Sequence, residues 1–317
     1  MPLIQPSTKR FWQEAKHKPG FSFFDRLHGY VYARWTYLYI GLGTGRHPLA
    51  RRFGPPIARI AEKLILWFGK QQAAQDENAK SSGRVTFADT YHGKVLPLQA
   101  ARELVLVNEN IHLPDLEKVI PYARAREIVL QNPDHIVALD CPCRVARENP
   151  CLPLDVCLVI GEPFASFVSE HQPGHSRWIT PDEALDIIQA EDQRGHVHHA
   201  FFKDAMLGRF YAICNCCSCC CGAIQAHQHG TPMLASSGYV AIVDYDACSG
   251  CGLCADFCQF AALNLADGVM TVDNAACMGC GVCVSHCPQN ALSLLRDPAK
   301  GEPLEIHALM QAALRVS

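Results

Sequence analysis

Long apolar runs are missing from this 317-residue chain. It has no stretch of about 18 uncharged apolar residues, the length that a membrane-spanning helix requires. The first twenty residues are polar and carry Lys9, Arg10, Lys16 and Lys18, so they do not resemble a signal peptide. The sequence therefore predicts a cytoplasmic protein without a membrane-spanning segment.

Acidic residues are scarce at the N-terminal end. Residues 1–70 hold 12 Lys and Arg against 3 Asp and Glu, although the whole chain has a net charge of −3. Apolar residues at helical spacing predict an amphipathic helix over 57–68, which also carries Arg59 and Lys63. Such a basic helix either makes peripheral contact with an anionic membrane or packs against protein. No motif indicates nucleic-acid binding.

Cysteine is absent before Cys141, yet 18 cysteines follow. They lie in tight groups with only a few residues between neighbours. A disulfide-bonded secreted protein is usually small and spreads its cysteines more evenly. This distribution excludes a disulfide scaffold and indicates metal binding in a reducing compartment.

Eight of the cysteines form an internal repeat. The pattern C-x-x-C-x-x-C-x-x-x-C begins at Cys248 and recurs 29 residues later, at Cys277. A loop with this spacing wraps three thiolates around one cubane cluster, and the fourth cysteine reaches the second cluster. The repeat therefore predicts two [4Fe–4S] clusters, one held by Cys248, Cys251, Cys254 and Cys287 and the other by Cys277, Cys280, Cys283 and Cys258. A pair of zinc sites is the alternative, but zinc favours two separated C-x-x-C pairs.

This segment resembles the bacterial two-[4Fe–4S] ferredoxins over residues 238–295. The resemblance rests on all eight cysteines and implies a small module that passes single electrons. One position departs from the family pattern, because Cys287 is followed by Pro288 whereas Cys258 is followed by Gln259. Proline is not a ligand, so the departure concerns the local turn and the reduction potential of the nearby cluster.

Ten further cysteines lie in the middle of the chain. They are Cys141, Cys143, Cys151 and Cys157, followed by Cys214, Cys216, Cys217, Cys219, Cys220 and Cys221. We expect them to hold one or two further iron–sulfur clusters, and structural zinc on four of them or unmetallated thiols are the alternatives. Residues 141–221 resemble cysteine-rich segments that precede ferredoxin modules in uncharacterised iron–sulfur proteins of anaerobic microbes. A helix predicted to start near Cys216 would place its positive end beside the thiolates.

Local patterns predict several other elements. Thr180 and Glu183 belong to a capping box, which predicts a helix that ends at Gly195. The histidines that follow, at 196, 198 and 199, are expected in a loop, exposed or hydrogen-bonded. Asp267-Gly268 between two apolar runs predicts a β-hairpin. Further helices are predicted over 97–108, 116–131 and 302–316, and buried strands over 135–140 and 210–214.

Together these patterns predict an α+β protein with four parts. The parts are a helical, basic and aromatic-rich N-terminal region (1–95), a mixed cysteine-rich metal-binding domain (96–235), a two-[4Fe–4S] ferredoxin module (236–298) and a tail helix (299–317). The predicted function is the transfer of single electrons between redox protein partners. A catalytic iron–sulfur oxidoreductase subunit with an atypical cluster in the middle block is the alternative, although no nucleophile–base pair, phosphate loop or flavin motif supports independent catalysis. A third possibility is a non-redox protein that its clusters only stabilise.

Overall fold

The computed structural model describes residues 4–50, 87–114 and 116–315. The amphipathic helix predicted over 57–68 lies outside these residues. Helices and a curled sheet occur together in the described part, so the prediction of mixed helix and strand content is confirmed. None of the described helices is long and apolar enough to cross a membrane.

Three helices form the first described segment: α1 (Pro6–His17), α2 (Phe23–Arg34) and α3 (Thr36–Gly43). Helix α2 begins at a capping box, in which the Ser22 hydroxyl accepts a hydrogen bond from the Asp25 backbone N–H and the Asp25 carboxylate accepts one from Ser22. Helix α1 inserts Phe11 into the core, where its ring stacks on Phe167 with the centroids 5.0 Å apart. The described N-terminal helices therefore pack on the sheet that follows.

An eight-stranded sheet forms the larger core. Its strands are β1 (Tyr91–Leu96), β2 (Ile111–Leu113), β3 (Ile128–Leu139), β4 (Cys157–Glu162), β5 (Ser176–Ile179), β6 (Val197–Lys203), β7 (Arg209–Cys216) and β8 (Leu234–Ala235). They lie in the order β2-β3-β4-β7-β6-β1-β8, and β5 also pairs with β3. Every pairing is antiparallel except that of β1 with β8. Strands β4 and β6 are buried along their whole length, so the ends of these strands lie deep in the protein.

Short helices connect the strands. They are α4 (Phe87–Thr90), α5 (Leu98–Val105), α6 (Pro142–Val145), α7 (Phe164–His171), α8 (Pro181–Gln193) and α9 (Gly222–Gln228). The predicted cap of α8 is present, because the Thr180 hydroxyl accepts a hydrogen bond from the Glu183 backbone N–H. The chain leaves α8 through Gly195, which adopts a φ of +79° that favours glycine.

A smaller C-terminal module follows, with its own core. Its elements are β9 (Tyr239–Val243), α10 (Leu253–Asp256), β10 (Leu263–Ala266), β11 (Val269–Val272), α11 (Val282–Ser285) and β12 (Leu292–Arg296). Strands β9 and β12 pair antiparallel, and β10 and β11 form the predicted hairpin around Asp267 and Gly268. A 3-10 turn (Pro298–Lys300) and helix α12 (Ile306–Leu314) complete the described chain.

Two sequence predictions of helices are wrong. Residues 116–131 were expected to be helical, but Ile128 begins the long strand β3, whose first residues pair with β2. Pro121 interrupts a helix at that point, and the β-branched residues before Gln131 favour the strand once a partner strand is available. Near Cys216 the strand β7 continues instead of a helix, and the next helix, α9, begins only at Gly222.

Candidate metal centres

The eight cysteines of the C-terminal module lie around two separate small cavities of about 20 Å³ each. Each cavity is lined by four thiols, in the two sets that the repeat predicts. The first set is Cys248, Cys251, Cys254 and Cys287, and the second is Cys258, Cys277, Cys280 and Cys283. In both sets three thiols come from one loop and the fourth from the other copy of the repeat, as a cubane pair requires.

Backbone geometry brings the chain close to these thiols. The N–H groups of Ala262 and Ala291 point at the sulfurs of Cys258 and Cys287, at 3.3 and 3.2 Å. Such N–H···S hydrogen bonds tune the reduction potential of a bound cluster. At Gly279 a Cβ atom would lie only 2.1 Å from the Tyr239 carbonyl oxygen, so a side chain does not fit in this loop.

A family model described as a 4Fe-4S binding domain matches residues 241–264 and 270–293, one match for each copy of the repeat. These residues form a ferredoxin-type module. Its two motifs indicate two [4Fe–4S] clusters and a general role in electron transfer. The matched residues are a small part of the chain, and a comparison with curated proteins finds no match for it.

Four cysteines of the middle block form a compact group that we call the four-thiol site. Its members are Cys151, Cys217, Cys219 and Cys220, whose sulfurs all lie within 4.8 Å of one another. The Cys219 sulfur is 3.1 Å from that of Cys151, 3.3 Å from that of Cys217 and 3.6 Å from that of Cys220. Four thiolates around one tetrahedral ion at 2.3 Å would stand about 3.8 Å apart. The site therefore has the size for a single metal ion.

The other six cysteines of the middle block line one end of the large sheet, and we call them the six-thiol group. Cys157 opens β4 and stands opposite Cys214 of β7, while Leu139 at the end of β3 stands opposite Cys157 on its other side. The side chains contact one another in a chain that runs Cys214, Cys157, Cys141, Cys143, Cys221 and Cys216. Three strand ends and two loops therefore bring together residues that are far apart in sequence.

Two members of the six-thiol group are more acidic than an ordinary thiol. Contact with Cys221 lowers the pKa of Cys216 to about 6; burial opposes this shift and the nearby His199 favours it. Contacts with Cys141 and Cys221 lower the pKa of Cys143 well below its usual value. A thiolate is the form that binds metal. His199 is fully buried in β6, and its ring contacts the Cys216 thiol. The expectation of a loop histidine is therefore wrong for His199, which becomes a candidate ligand.

A buried ion pair holds the loops of the middle block in place. Arg144, beside Cys143, contacts Glu191 of α8 at 2.5 Å, and both side chains are 1% exposed. The same guanidinium donates to the carbonyl oxygens of Pro153 and Asn215, on the neighbouring loop and on β7. Burial disfavours the charge of Glu191. Hydrogen bonding to His196 and the charge of Arg144 nevertheless keep the pKa of Glu191 below its usual value.

Gln259, the residue that departs from the ferredoxin pattern, joins the ferredoxin module to the four-thiol site. Its side-chain oxygen accepts a hydrogen bond of 2.7 Å from the backbone N–H of Ser218, which lies between Cys217 and Cys219. Its side-chain amide donates to the carbonyl oxygen of Gly195, at 2.9 Å. A proline at this position could form neither bond, so the departure has a structural reason that the sequence alone did not reveal.

Proposed function

We propose that this protein transfers single electrons from a redox protein partner, through its ferredoxin module, to metal centres of the cysteine-rich middle block. The observation that carries the proposal is the position of Gln259. Cys258 belongs to the second ferredoxin set, and the next residue hydrogen-bonds to the loop that carries three of the four thiols of the four-thiol site. A short path of covalent bonds and one hydrogen bond therefore joins the two metal-binding regions.

A second contact supports this orientation of the ferredoxin module. The rings of Phe257 and His286, from the two copies of the repeat, are in contact at a tilt of 33°, with their centroids 3.8 Å apart. The Nε2 atom of His286 lies 3.2 Å from the carbonyl oxygen of Gln193, at the end of α8. The module is thus fixed to the α8 turn beside Gly195 as well as to the Ser218 loop, and the second set of thiols faces the middle block.

The first ferredoxin set is the more exposed one and suits an encounter with a partner. Cys251 is exposed, whereas Cys277 and Cys283 of the second set are buried. Asp244, Asp246 and Asp256, all exposed, surround the first loop in sequence. A redox protein with a basic surface matches this charge.

The N-terminal helices offer a separate surface for which we propose peripheral membrane contact. Helices α2 and α3 leave large apolar side chains exposed, among them Phe23 (64%), Phe24 (62%) and Leu42 (43%). The Arg26 guanidinium lies over the Phe23 ring, 5.6 Å from its centroid, so charge and apolar surface occur together as in interfacial helices. Sedimentation with vesicles of anionic and of neutral lipid tests this contact; equal, negligible binding to both would contradict it.

The relay is tested by replacing Gln259 with the proline of the family pattern. Gln259→Pro keeps all 18 cysteines but removes the side-chain bonds to Ser218 and Gly195. In anaerobic stopped-flow measurements, we expect reduction of the ferredoxin clusters to be unchanged and reduction of the middle-block centres to become several-fold slower. Gln289→Ala, an exposed glutamine beside the first set, is the matched control.

Two results would contradict the relay. Equal rates of middle-block reduction in Gln259→Pro and in the unmodified protein would show that electrons do not use this contact. Middle-block centres that never change their oxidation state under strong reduction would show that the ferredoxin module serves an external acceptor instead.

A further inference from the structure

A large cavity lies beside the six-thiol group. Its volume is about 440 Å³, against about 20 Å³ for each cavity within the ferredoxin sets. Each ferredoxin cavity is the space between four thiols that a cubane would occupy. The cavity in the middle block therefore has room for a small molecule as well as a metal centre.

Two chemically different walls face this cavity. Members of the six-thiol group, among them Cys143 and Cys214, form one wall. Hydroxyl groups form another, in which the Tyr32 and Tyr211 oxygens are hydrogen-bonded at 2.8 Å and Tyr91 contacts Tyr211. Burial raises the pKa of all three tyrosines, so their hydroxyls stay protonated and can donate.

Lys203 also lines the cavity and lacks a close counter-ion. Its side chain is 2% exposed, and the nearest carboxylate oxygen, on Asp204, is 4.0 Å from the ammonium nitrogen. That same oxygen accepts a hydrogen bond of 2.6 Å from the Ala205 backbone N–H. The ammonium group lies over the rings of Tyr32 and Tyr91, at 4.8 and 4.9 Å from their centroids. The ion pair with Asp204 is therefore long, and burial lowers the pKa of Lys203, so a second anion beside the ammonium group would stabilise its charge.

The two other cationic side chains that line the cavity, Arg46 and Arg144, already have partners. Arg46 donates to the carbonyl oxygens of Cys143 and Cys220 and to the side-chain oxygen of Gln225, at 2.6 to 3.1 Å, and Arg144 pairs with Glu191. Arg46 therefore fixes the two cysteine loops to each other, and neither arginine is available to a ligand. The ammonium group of Lys203, in contrast, makes no hydrogen bond within the part of the chain that the structure describes.

We infer that this cavity is a substrate site for a small organic anion with an apolar body. The anionic group contacts Lys203 and the tyrosine hydroxyls, and the apolar body lies against Ile40, Val159 and Phe201 and extends toward the six-thiol group. The inference rests on the proposed function in one respect, because the bound anion would lie beside the metal centres that receive the electrons. Its binding does not depend on electron transfer and can be tested alone.

The test measures binding of benzoate to the full-length protein by anaerobic titration calorimetry, without any reductant. Benzyl alcohol, which has the same ring but no charge, is the matched ligand. We expect benzoate to bind and Lys203→Met to weaken it about tenfold to a hundredfold, as the loss of a charge-assisted hydrogen bond predicts. Lys94→Met is the matched variant, since Lys94 is an equally buried lysine that donates to the Glu302 carbonyl oxygen.

The outcomes separate the alternatives. Weaker benzoate binding in Lys203→Met but not in Lys94→Met supports the site, and Tyr91→Phe, which keeps the ring, gives the same answer if Lys203→Met does not fold. Equal benzoate affinity in all variants, or no preference for benzoate over benzyl alcohol, overturns it. The proposal is also overturned if the unmodified protein binds no benzoate and Lys203→Met loses metal. The Lys203 cation would then serve to balance the negative charge of the thiolates. Gln259→Pro should bind benzoate normally, so failure of the relay and failure of this site are distinguishable.

Discussion

The ferredoxin module and the middle block both gather cysteines, but they do so by different means. In the module, each set takes three thiols from a loop of seven residues, and glycines allow the backbone to turn tightly around them. In the middle block, the thiols of Cys151 and Cys219 are 68 residues apart in sequence, and a buried ion pair holds the loops. The first design is specified by local spacing, whereas the second depends on the sheet.

The two regions also differ in the space between their thiols. Each set in the module encloses only about 20 Å³, the space that a cluster would take. The middle block leaves about 440 Å³ beside its six-thiol group. A site that only carries electrons excludes other molecules, whereas a site that transforms a substrate has to admit one. The following changes should separate the two regions experimentally.

The largest effect is expected from removal of one ligand in the module. Cys258→Ser should lose about four iron and about four acid-labile sulfide per chain, since one cubane loses an essential thiolate. The middle-block metal should remain, because its ligands are separate. Iron and sulfide analysis of anaerobically purified protein checks this. Unchanged iron and sulfide contents would contradict the assignment of Cys258 to a cubane.

The second-largest effect is expected from loss of the buried ion pair between Arg144 and Glu191. This effect should be confined to the middle block. Glu191→Gln leaves Arg144 with an uncompensated buried charge, which typically costs about 3–5 kcal/mol. Denaturant unfolding measures this change in the free energy of unfolding. Arg177→Met, which removes a half-exposed arginine paired with Asp155, is the control and should cost no more than about 1 kcal/mol. Similar costs for the two variants would show that the ion pair does not hold the loops.

Low pH should also lower the stability of the middle block more than that of the ferredoxin module. The folded protein keeps the pKa of Glu191 below the ordinary value of 4.5, so the unfolded chain binds the proton more readily. The stabilisation is therefore present above about pH 4.5 and is lost as the pH falls through the lower, folded pKa. Unfolding of Glu191→Gln should show a smaller loss of stability over this acid range than the unmodified protein. Parallel pH profiles would contradict this role.

The smallest effect is expected from loss of one ligand of the four-thiol site. Cys219 is exposed, so Cys219→Ser should fold normally and lose about one metal ion per chain without any loss of acid-labile sulfide. Elemental analysis beside sulfide analysis decides between iron and zinc in the same experiment. A loss of several iron together with sulfide would instead show that this site holds a cluster.

Elements with strong local signals were predictable from sequence. Thr180 and Glu183 specify the start of α8, and Asp267-Gly268 specifies the hairpin, because both signals act over a few residues. The region 116–131 was not predictable in this way. Its last residues join β3 only because β2 offers a partner strand, and such pairing outweighs local helix propensity.

The candidate metal sites of the middle block were also only partly predictable from the sequence. Its ten cysteines indicated metal binding, but their division into a group of four and a group of six depends on which strand ends meet in space. His199 was expected in a loop and Lys203 gave no signal, because buried polar residues in a strand resemble exposed ones until the fold is known. Gln259 was visible as a departure from the ferredoxin pattern, although its partner Ser218 was not.

The pairing of β4 with β7 also bears on how the protein matures. Cys157 and Cys214 are brought face to face by strand pairing, so the six-thiol group exists only once that part of the sheet has closed. Contacts between distant residues form late and slowly in folding. The loop that begins at Cys248 has no such requirement, since its three thiols are neighbours in the chain. Metal insertion should therefore differ between the two regions. The ferredoxin loops can receive iron while they are still flexible, whereas the middle block has to fold before it receives metal.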